Sequence, residues 1–256
     1  MASDADETRE WFRDQTFWAE FAKVVFDDHR LRGTAEEVDR VLALTGLESG
    51  AVLDLFCGPG RHSLELARRG FHATGVDITP RHVEQGRAAA AAESLDAEFV
   101  EADVRTFSRP GAFDAAICMF TSFGYFDDLN DDRKVLANAA AALRPGGVLL
   151  IQTMGKETVA RSLRGRSWYR LDDSPGDIFL MENTILGAWE RVQLDWTIIR
   201  ADGARSEAQL RIRMFSALEM ASLLQDAGFS DVTVFGDLDG RPYNATANLL
   251  VAVARK

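Results

Sequence analysis

A chain of 256 residues that is 46% hydrophobic can bury one large core, or a core with a small appendage, but not several domains. Its 40 acidic against 29 basic residues leave a formal net charge of −11. A nucleic-acid binder needs a basic face to displace counterions, so this balance argues against such a partner. Two cysteines, Cys57 and Cys118, are too few for a disulfide framework or a four-cysteine zinc site. The longest apolar run, Leu249 to Ala254, is far too short to span a bilayer, and the acidic start has no secretory-signal pattern. The expectation is a cytoplasmic protein with neither membrane nor nucleic acid as partner.

In chain order, Trp11, Phe12, Phe17, Trp18 and Phe21 recur with helical spacing through Val24 and Val25. Thr34 and Glu37 predict a capping box for a second helix, with Val38, Val41 and Leu42 on its inner face. The pattern then changes. Residues 51–56 read as a strand entering a Gly-rich turn, followed by a helix over 63–69. A strand over 72–77, an Ala-rich helix over 81–95, and strands over 98–100 and 113–120 come next. A helix over 131–143 leads through Pro145-Gly146-Gly147 into a strand over 148–153. Such alternation predicts an α/β, doubly wound parallel sheet with helices on both faces.

The rhythm breaks after Gly155. Residues 179–186 look strand-like, Val192, Leu194, Trp196 and Ile198 alternate with polar residues, and Leu210, Ile212 and Met214 do so beyond the Asp202-Gly203 turn. That predicts an antiparallel meander with one buried face, covered by the protein's own helices or by another subunit. A helix over 217–227 and strands over 232–235 and 248–253 close the chain, with a turn at Asp239-Gly240.

The sharpest motif is Asp54-Leu55-Phe56-Cys57-Gly58-Pro59-Gly60, between the first strand and its helix. Glycines there let a ligand approach the backbone at a helix N-terminus. Asp77 ends the next strand, 19 residues after Gly58, where an acid can accept both hydroxyls of a ribose. Position 63 is Ser, so the third glycine of a dinucleotide fingerprint is missing, and there is no P-loop.

The segment resembles the first motif of the class I S-adenosylmethionine-dependent methyltransferases, and four further points match. Asp77 with Ile78 stands at the ribose-binding acid, and Asp103 with Val104 at the adenine site. Phe113-Asp114 opens the fourth strand, and Leu143 to Gly147 form the turn before the fifth. Phe56 departs from the pattern, standing where the family has its first glycine. The resemblance implies a Rossmann-like, seven-stranded, mostly parallel sheet with an antiparallel last strand. It assigns residues 1–256 to one domain: a helical lid over 1–48, the core over 49–154 and 214–256, and the antiparallel insert over 155–213. It implies S-adenosyl-L-methionine as cofactor, leaving S-adenosyl-L-homocysteine, held by Asp54, Phe56, Gly58, Gly60, Asp77, Ile78, Asp103, Val104 and Met119. Cys57 to Ser63 with Thr121 to Phe126 is similar to a bacterial small-molecule subgroup that includes antibiotic-tailoring N-methyltransferases of the lincosamide kind.

The fourth strand ends Met119-Phe120-Thr121-Ser122, without the Asn/Asp-Pro-Pro-Tyr of enzymes that methylate base amines. Methyl transfer needs alignment above all, whereas an alcohol acceptor also needs a base. Of the four histidines, His72 and His82 read as solvated or structural. His62 follows the Gly-rich turn, where it either orients the turn or acts as base, and His29 is a second candidate base. No histidine follows the fourth strand, which favours an amine acceptor aligned without a protein base. Phe120 and Tyr125 are the candidate catalytic aromatics, since aromatic faces attract a sulfonium or ammonium. Trp18, Phe123, Trp168, Tyr169 and Tyr243 are candidate acceptor contacts, and Arg241 accompanies Tyr243. For Phe12, Phe21 and Phe26 a core position is expected. The acidic run 127–132 reads as helix capping rather than a metal site. Alternatives are an O-methyltransferase with a histidine base, a non-catalytic cofactor-binding subunit, and an RNA or protein methyltransferase. Self-association through the insert is left open.

Overall fold

The structure is a computed structural model that describes residues 10–27, 31–172 and 174–256. Among the described residues a 3₁₀ turn (Trp11–Arg13) is followed by two amphipathic helices, α1 (Gln15–Val25) and α2 (Thr34–Thr45). Five strands follow, β1 (Ala51–Leu55), β2 (His72–Asp77), β3 (Ala97–Glu101), β4 (Phe113–Cys118) and β5 (Leu143–Thr153). Helix α3 (Arg61–Arg68) links β1 to β2, α4 (Pro80–Glu93) links β2 to β3, and α5 (Leu129–Ala142) links β4 to β5. Beyond α6 (Lys156–Ser162) lie β6 (Arg166–Leu171), β7 (Ser174–Leu186), β8 (Arg191–Ile199) and β9 (Arg205–Arg213). The chain closes with α7 (Ala217–Asp226), β10 (Ser230–Phe235) and β11 (Leu250–Arg255).

The seven-stranded sheet runs β10-β11-β5-β4-β1-β2-β3. β1 to β5 pair in parallel, and β11 pairs antiparallel with both β5 and β10. This is the expected Rossmann-like order. Ala115, Ala116, Ile117, Leu149 and Leu150 are buried because helices cover both faces, which is why these strands read as unbroken apolar runs. In a second sheet, β6-β7-β8-β9, β7 pairs antiparallel with both β6 and β8.

The backbone divides into two units. One holds α2, the seven-stranded sheet and its helices (31–162 and 213–256), and the other holds α1 with residues 163–212. The stretch expected as one helical lid is thus shared between them. Within the second unit, Val192, Leu194 and Ile198 are buried, and Trp196 packs on Phe17, Phe21 and Phe179. Helix α1 therefore covers the alternating face of β8, and Phe12 and Phe21 are core residues as expected.

One local expectation is corrected, and two elements left no signal in the sequence. Thr34 and Glu37 form no capping box. The Thr34 hydroxyl accepts from Arg61, and Glu37 turns to Arg61 and His62. Charge-assisted partners outbid a backbone N–H. A complete capping box sits instead at Ser216 and Glu219, before α7. β6 shows no alternation in sequence because it is a mostly exposed edge strand, and the seven-residue α6 is too short to leave a period. No helix among the described residues is long and apolar enough to cross a membrane.

Candidate functional site

The strand order reverses between β1 and β4, and at such a switch point the carboxyl ends of neighbouring strands open a crevice. The turn leaving β1 lines it. Phe56 has φ +58°, and Gly58 and Gly60 have +56° and +88°. Left-handed backbone costs a residue with a Cβ about 1–2 kcal/mol, which is why glycine suits the position that Phe56 fills. Its ring is held 6.3 Å from that of Tyr125 and 6.1 Å from that of Phe126. A Cβ on Gly60 would overlap the buried ring of Phe99, so only hydrogen fits there.

Asp77 completes the turn. Its Oδ2 accepts the Gly58 N–H at 2.9 Å and its Oδ1 the Thr79 N–H at 2.8 Å. A carboxylate offers about four acceptor positions, so capacity remains for a diol. Ile78 beside it is half-buried. His82 is buried behind the carboxylate, with Nδ1 3.6 Å from Oδ1, so its place is structural. Asp54 is buried and accepts the Ser63 hydroxyl at 2.6 Å, tying β1 to α3. Burial pushes its carboxyl above the ordinary value, against the pull of His62 and Ser63.

Asp103 is not a bare acid. Its Oδ1 accepts the Arg105 N–H at 2.9 Å, and its Oδ2 accepts the Arg105 guanidinium at 2.6 Å. Arg105 also reaches Asp131 at 2.9 Å and lies 4.6 Å over the Phe126 ring. Asn138 holds this corner by donating to the Val104 and Arg105 carbonyls at 3.1 and 2.8 Å. Sequence reasoning missed Arg105 and Asn138. A base two residues past the acid was the available signal for the first, and nothing local marked the second. The set fits an adenosyl group: spare acceptor capacity at Asp77, an apolar Val104, and a turn left-handed at Gly58 and Gly60.

Beyond β4 the backbone is left-handed twice, at Phe120 (φ +61°) and Thr121 (φ +59°). Gln152 of β5 holds both, its Oε1 accepting the Phe120 N–H at 2.9 Å and its carbonyl the Thr121 N–H at 3.1 Å. The buried Met119 offers its carbonyl to the Ser122 hydroxyl at 2.9 Å. The Arg61 guanidinium lies 5.4 Å from the centre of the Phe120 ring. Burial pushes the Tyr125 hydroxyl well up, with Ser122 opposing, so it stays protonated. Phe123 is fully buried against Phe215, a core residue rather than the acceptor contact expected of it.

His62 is 4% exposed, with Nε2 2.9 Å from Glu37 Oε2, and Arg61 meets the same carboxylate. Burial pushes the Glu37 carboxyl up, but the His62 hydrogen bond and the Arg61 charge outweigh it, and the net shift is downward. His29 lies outside the described residues. Burial pushes both thiols, Cys57 and Cys118, up and out of reactive range. Tyr243 donates to Glu157 at 2.9 Å and sits where a Cβ on Gly155 would be. Arg241 pairs with Asp237 and Asp239. Trp18, Trp168 and Tyr169 belong to the other unit. There the Trp18 indole donates to the Phe12 carbonyl at 2.7 Å, Trp168 is 64% exposed, and Tyr169 packs on Phe179.

In the acidic run, Asp128 caps α5, Asp131 pairs with Arg105 and Lys134, and Asp132 is buried beside Arg213. Among the described residues no group of three or more His, Cys, Asp or Glu side chains could hold a metal ion.

Residues 52–147 match the family described as "Methyltransferase domain". The chain is 30% identical over 128 residues to a ubiquinone biosynthesis O-methyltransferase of Xanthomonas campestris, covering 49% of this chain and 52% of that enzyme. It thus spans about half the length of that relative. It is 28% identical over 197 residues to a glycine/sarcosine N-methyltransferase of Parasynechococcus marenigrum, covering 74% and 67%. Among solved structures, the S-adenosylmethionine-bound amino pentose methyltransferase CalS10 of Micromonospora echinaspora superposes with a TM-score of 0.70 at 24% identity, over 93% of this chain and 95% of that one.

Proposed function

We propose that this chain, an S-adenosylmethionine-dependent methyltransferase by its cofactor-binding half, methylates an amine nitrogen of a small, natural-product-like molecule in the cytoplasm. When bound, S-adenosylmethionine supplies a methyl group on a sulfonium. The protein's own residues bind and align. Asp77 accepts the ribose hydroxyls with the capacity that Gly58 and Thr79 leave it. The Asp103–Arg105 pair and Val104 form the adenine end. Phe56, Tyr125 and Phe126 supply aromatic surface beside the turn.

One observation carries the amine reading: at the crevice, His62 is buried and its Nε2 is already engaged by Glu37, while the strand end offers Phe120 and Tyr125. An amine can lose its proton to water beforehand, so a site of this kind needs only proximity and exclusion of water. The amino pentose methyltransferase and the glycine/sarcosine N-methyltransferase support this reading by their acceptors, and they support an amino sugar or amino acid as substrate class. An antibiotic scaffold of the lincosamide kind is the narrower form of the same proposal. The O-methyltransferase relative favours a second reading, an alcohol acceptor with His62 as base.

The test is turnover with a panel of amino sugars, amino acids and matched hydroxyl compounds, read as S-adenosylhomocysteine formed. Amines should react and their hydroxyl counterparts should fail. Turnover confined to hydroxyl acceptors would reverse the assignment.

A further inference from the structure

The backbone beyond β4 is strained in a way that needs an explanation. Phe120 and Thr121 are consecutive non-glycine residues at φ +61° and +59°. Such conformations persist only where the surroundings over-determine them. One residue does so here, Gln152, by accepting the Phe120 N–H on its side-chain oxygen and the Thr121 N–H on its main-chain carbonyl.

This contact also fixes which way the Gln152 amide faces. A backbone N–H can only donate, so the amide oxygen must be the atom turned to Phe120. The Nε2 group, with two N–H donors and no acceptor, is left pointing elsewhere. Gln152 is only 7% exposed, yet among the described residues nothing accepts from Nε2, and this nitrogen retains solvent contact. These two N–H donors are open to a ligand that displaces the water, and the atom they take from it must be a hydrogen-bond acceptor.

We infer that Gln152 is a substrate-binding residue whose Nε2 donates to an oxygen on the carbon next to the one that bears the amine to be methylated. The inference rests on the amine reading above and narrows it to amines with an adjacent hydroxyl or carboxylate. The strained turn then has a purpose: by turning the Phe120 N–H onto Oε1 it fixes the amide orientation, which sets Phe120 and the donor pair together.

Gln152→Glu is the informative change, because one carboxylate oxygen can still accept from Phe120 while the other replaces the donor with an acceptor. Binding is measured by calorimetry with S-adenosylhomocysteine present. The probes are a methyl 3-amino-3-deoxyglucoside against its 2,4-dideoxy counterpart, and glycine against ethylamine. The first pair reports a hydroxyl and the second a carboxylate. Wild type should bind the oxygen-bearing member of at least one pair tenfold or more tightly than its counterpart. Gln152→Glu should erase that difference while keeping its affinity for S-adenosylhomocysteine, with a smaller loss of melting temperature than Gln152→Leu, because a carboxylate oxygen still holds the Phe120 N–H. Gln152→Leu should lose the difference and also lower the melting temperature, because the turn is released. Equal binding within both pairs by wild type, no binding of any probe, or a preference that survives Gln152→Glu would overturn the inference. Failure of wild type to bind S-adenosylhomocysteine would instead refute the cofactor assignment beneath it.

Discussion

Arg213, the last residue of β9, faces Asp132 in the first turn of α5 at 3.3 Å, and both side chains are almost wholly buried. The same arginine donates its N–H to the Gly124 carbonyl at 2.7 Å and its guanidinium to the Asp127 carbonyl at 2.9 Å. It thereby holds the segment that carries Phe120 and Tyr125 at both of these points. Removing one member of a buried pair strands the other charge at a cost of about 3–5 kcal/mol, whereas an apolar pair of similar volume can be neutral. Arg213→Met and Asp132→Leu should each lower stability by that order, and the double variant should recover much of it. Denaturant titration checks this, and single-variant losses below about 1 kcal/mol would contradict it.

Gly60→Ala should disturb the turn from below rather than from the ligand side. The new methyl meets the Phe99 ring, which is itself packed in the core, and the left-handed φ adds strain. Overpacking of about 1–3 kcal/mol plus about 1–2 kcal/mol of backbone strain is expected. Adding Phe99→Leu should return part of the loss, since the ring is the obstacle. Melting temperatures that fall equally with and without the second change would show the clash to be elsewhere.

Asp114 and Asp77 should separate stability from affinity. Asp114 accepts the Ala51 N–H at 2.8 Å and pairs with Arg144 at 2.5 Å, at the far end of the strands from the Gly-rich turn. The Ala51 N–H, then Arg144, holds its pKa below the ordinary 3.8, so its contribution is complete above that pH and fades as pH falls through the folded value. Asp114→Asn should therefore flatten the acid side of the melting-temperature profile and leave cofactor affinity nearly unchanged. Asp77→Ala should do the reverse at neutral pH, losing charge-assisted hydrogen bonds worth about 1.5–3 kcal/mol each. Titration calorimetry showing equal affinity losses, or none for Asp77→Ala, would remove the ribose assignment.

Much of this was legible in the sequence because it is local. The strand expected over 72–77 matches β2 residue for residue, and spacing alone pairs the Gly-rich turn with Asp77. What could not be read depends on distant partners. Glu37 looks like half of a capping box until Arg61 and His62 arrive from α3 to claim it. Phe123 and Tyr125 look alike in a run of aromatics, and only Phe215, 92 residues on, makes the first a core residue. Gln152 sits in an apolar strand, and its role appears only when the left-handed turn at Phe120 is brought beside it. Phe56 was visible as a departure, and its φ of +58° supplies the physical reason that a glycine is usual there.

The central claim, alignment of an amine without an essential protein base, is tested most directly by the pH dependence of kcat/KM for two accepted amines of different basicity. The rate should rise with pH and level off at each amine's own pKa, so that the onset moves when the substrate changes. His62→Ala should keep that profile and lose less than about tenfold, or about 1.4 kcal/mol, while Phe120→Ala should lose more by loosening the attack geometry. An onset that stays fixed across both amines, together with a thousandfold loss in His62→Ala at intact cofactor affinity, would contradict the claim and make His62 the base.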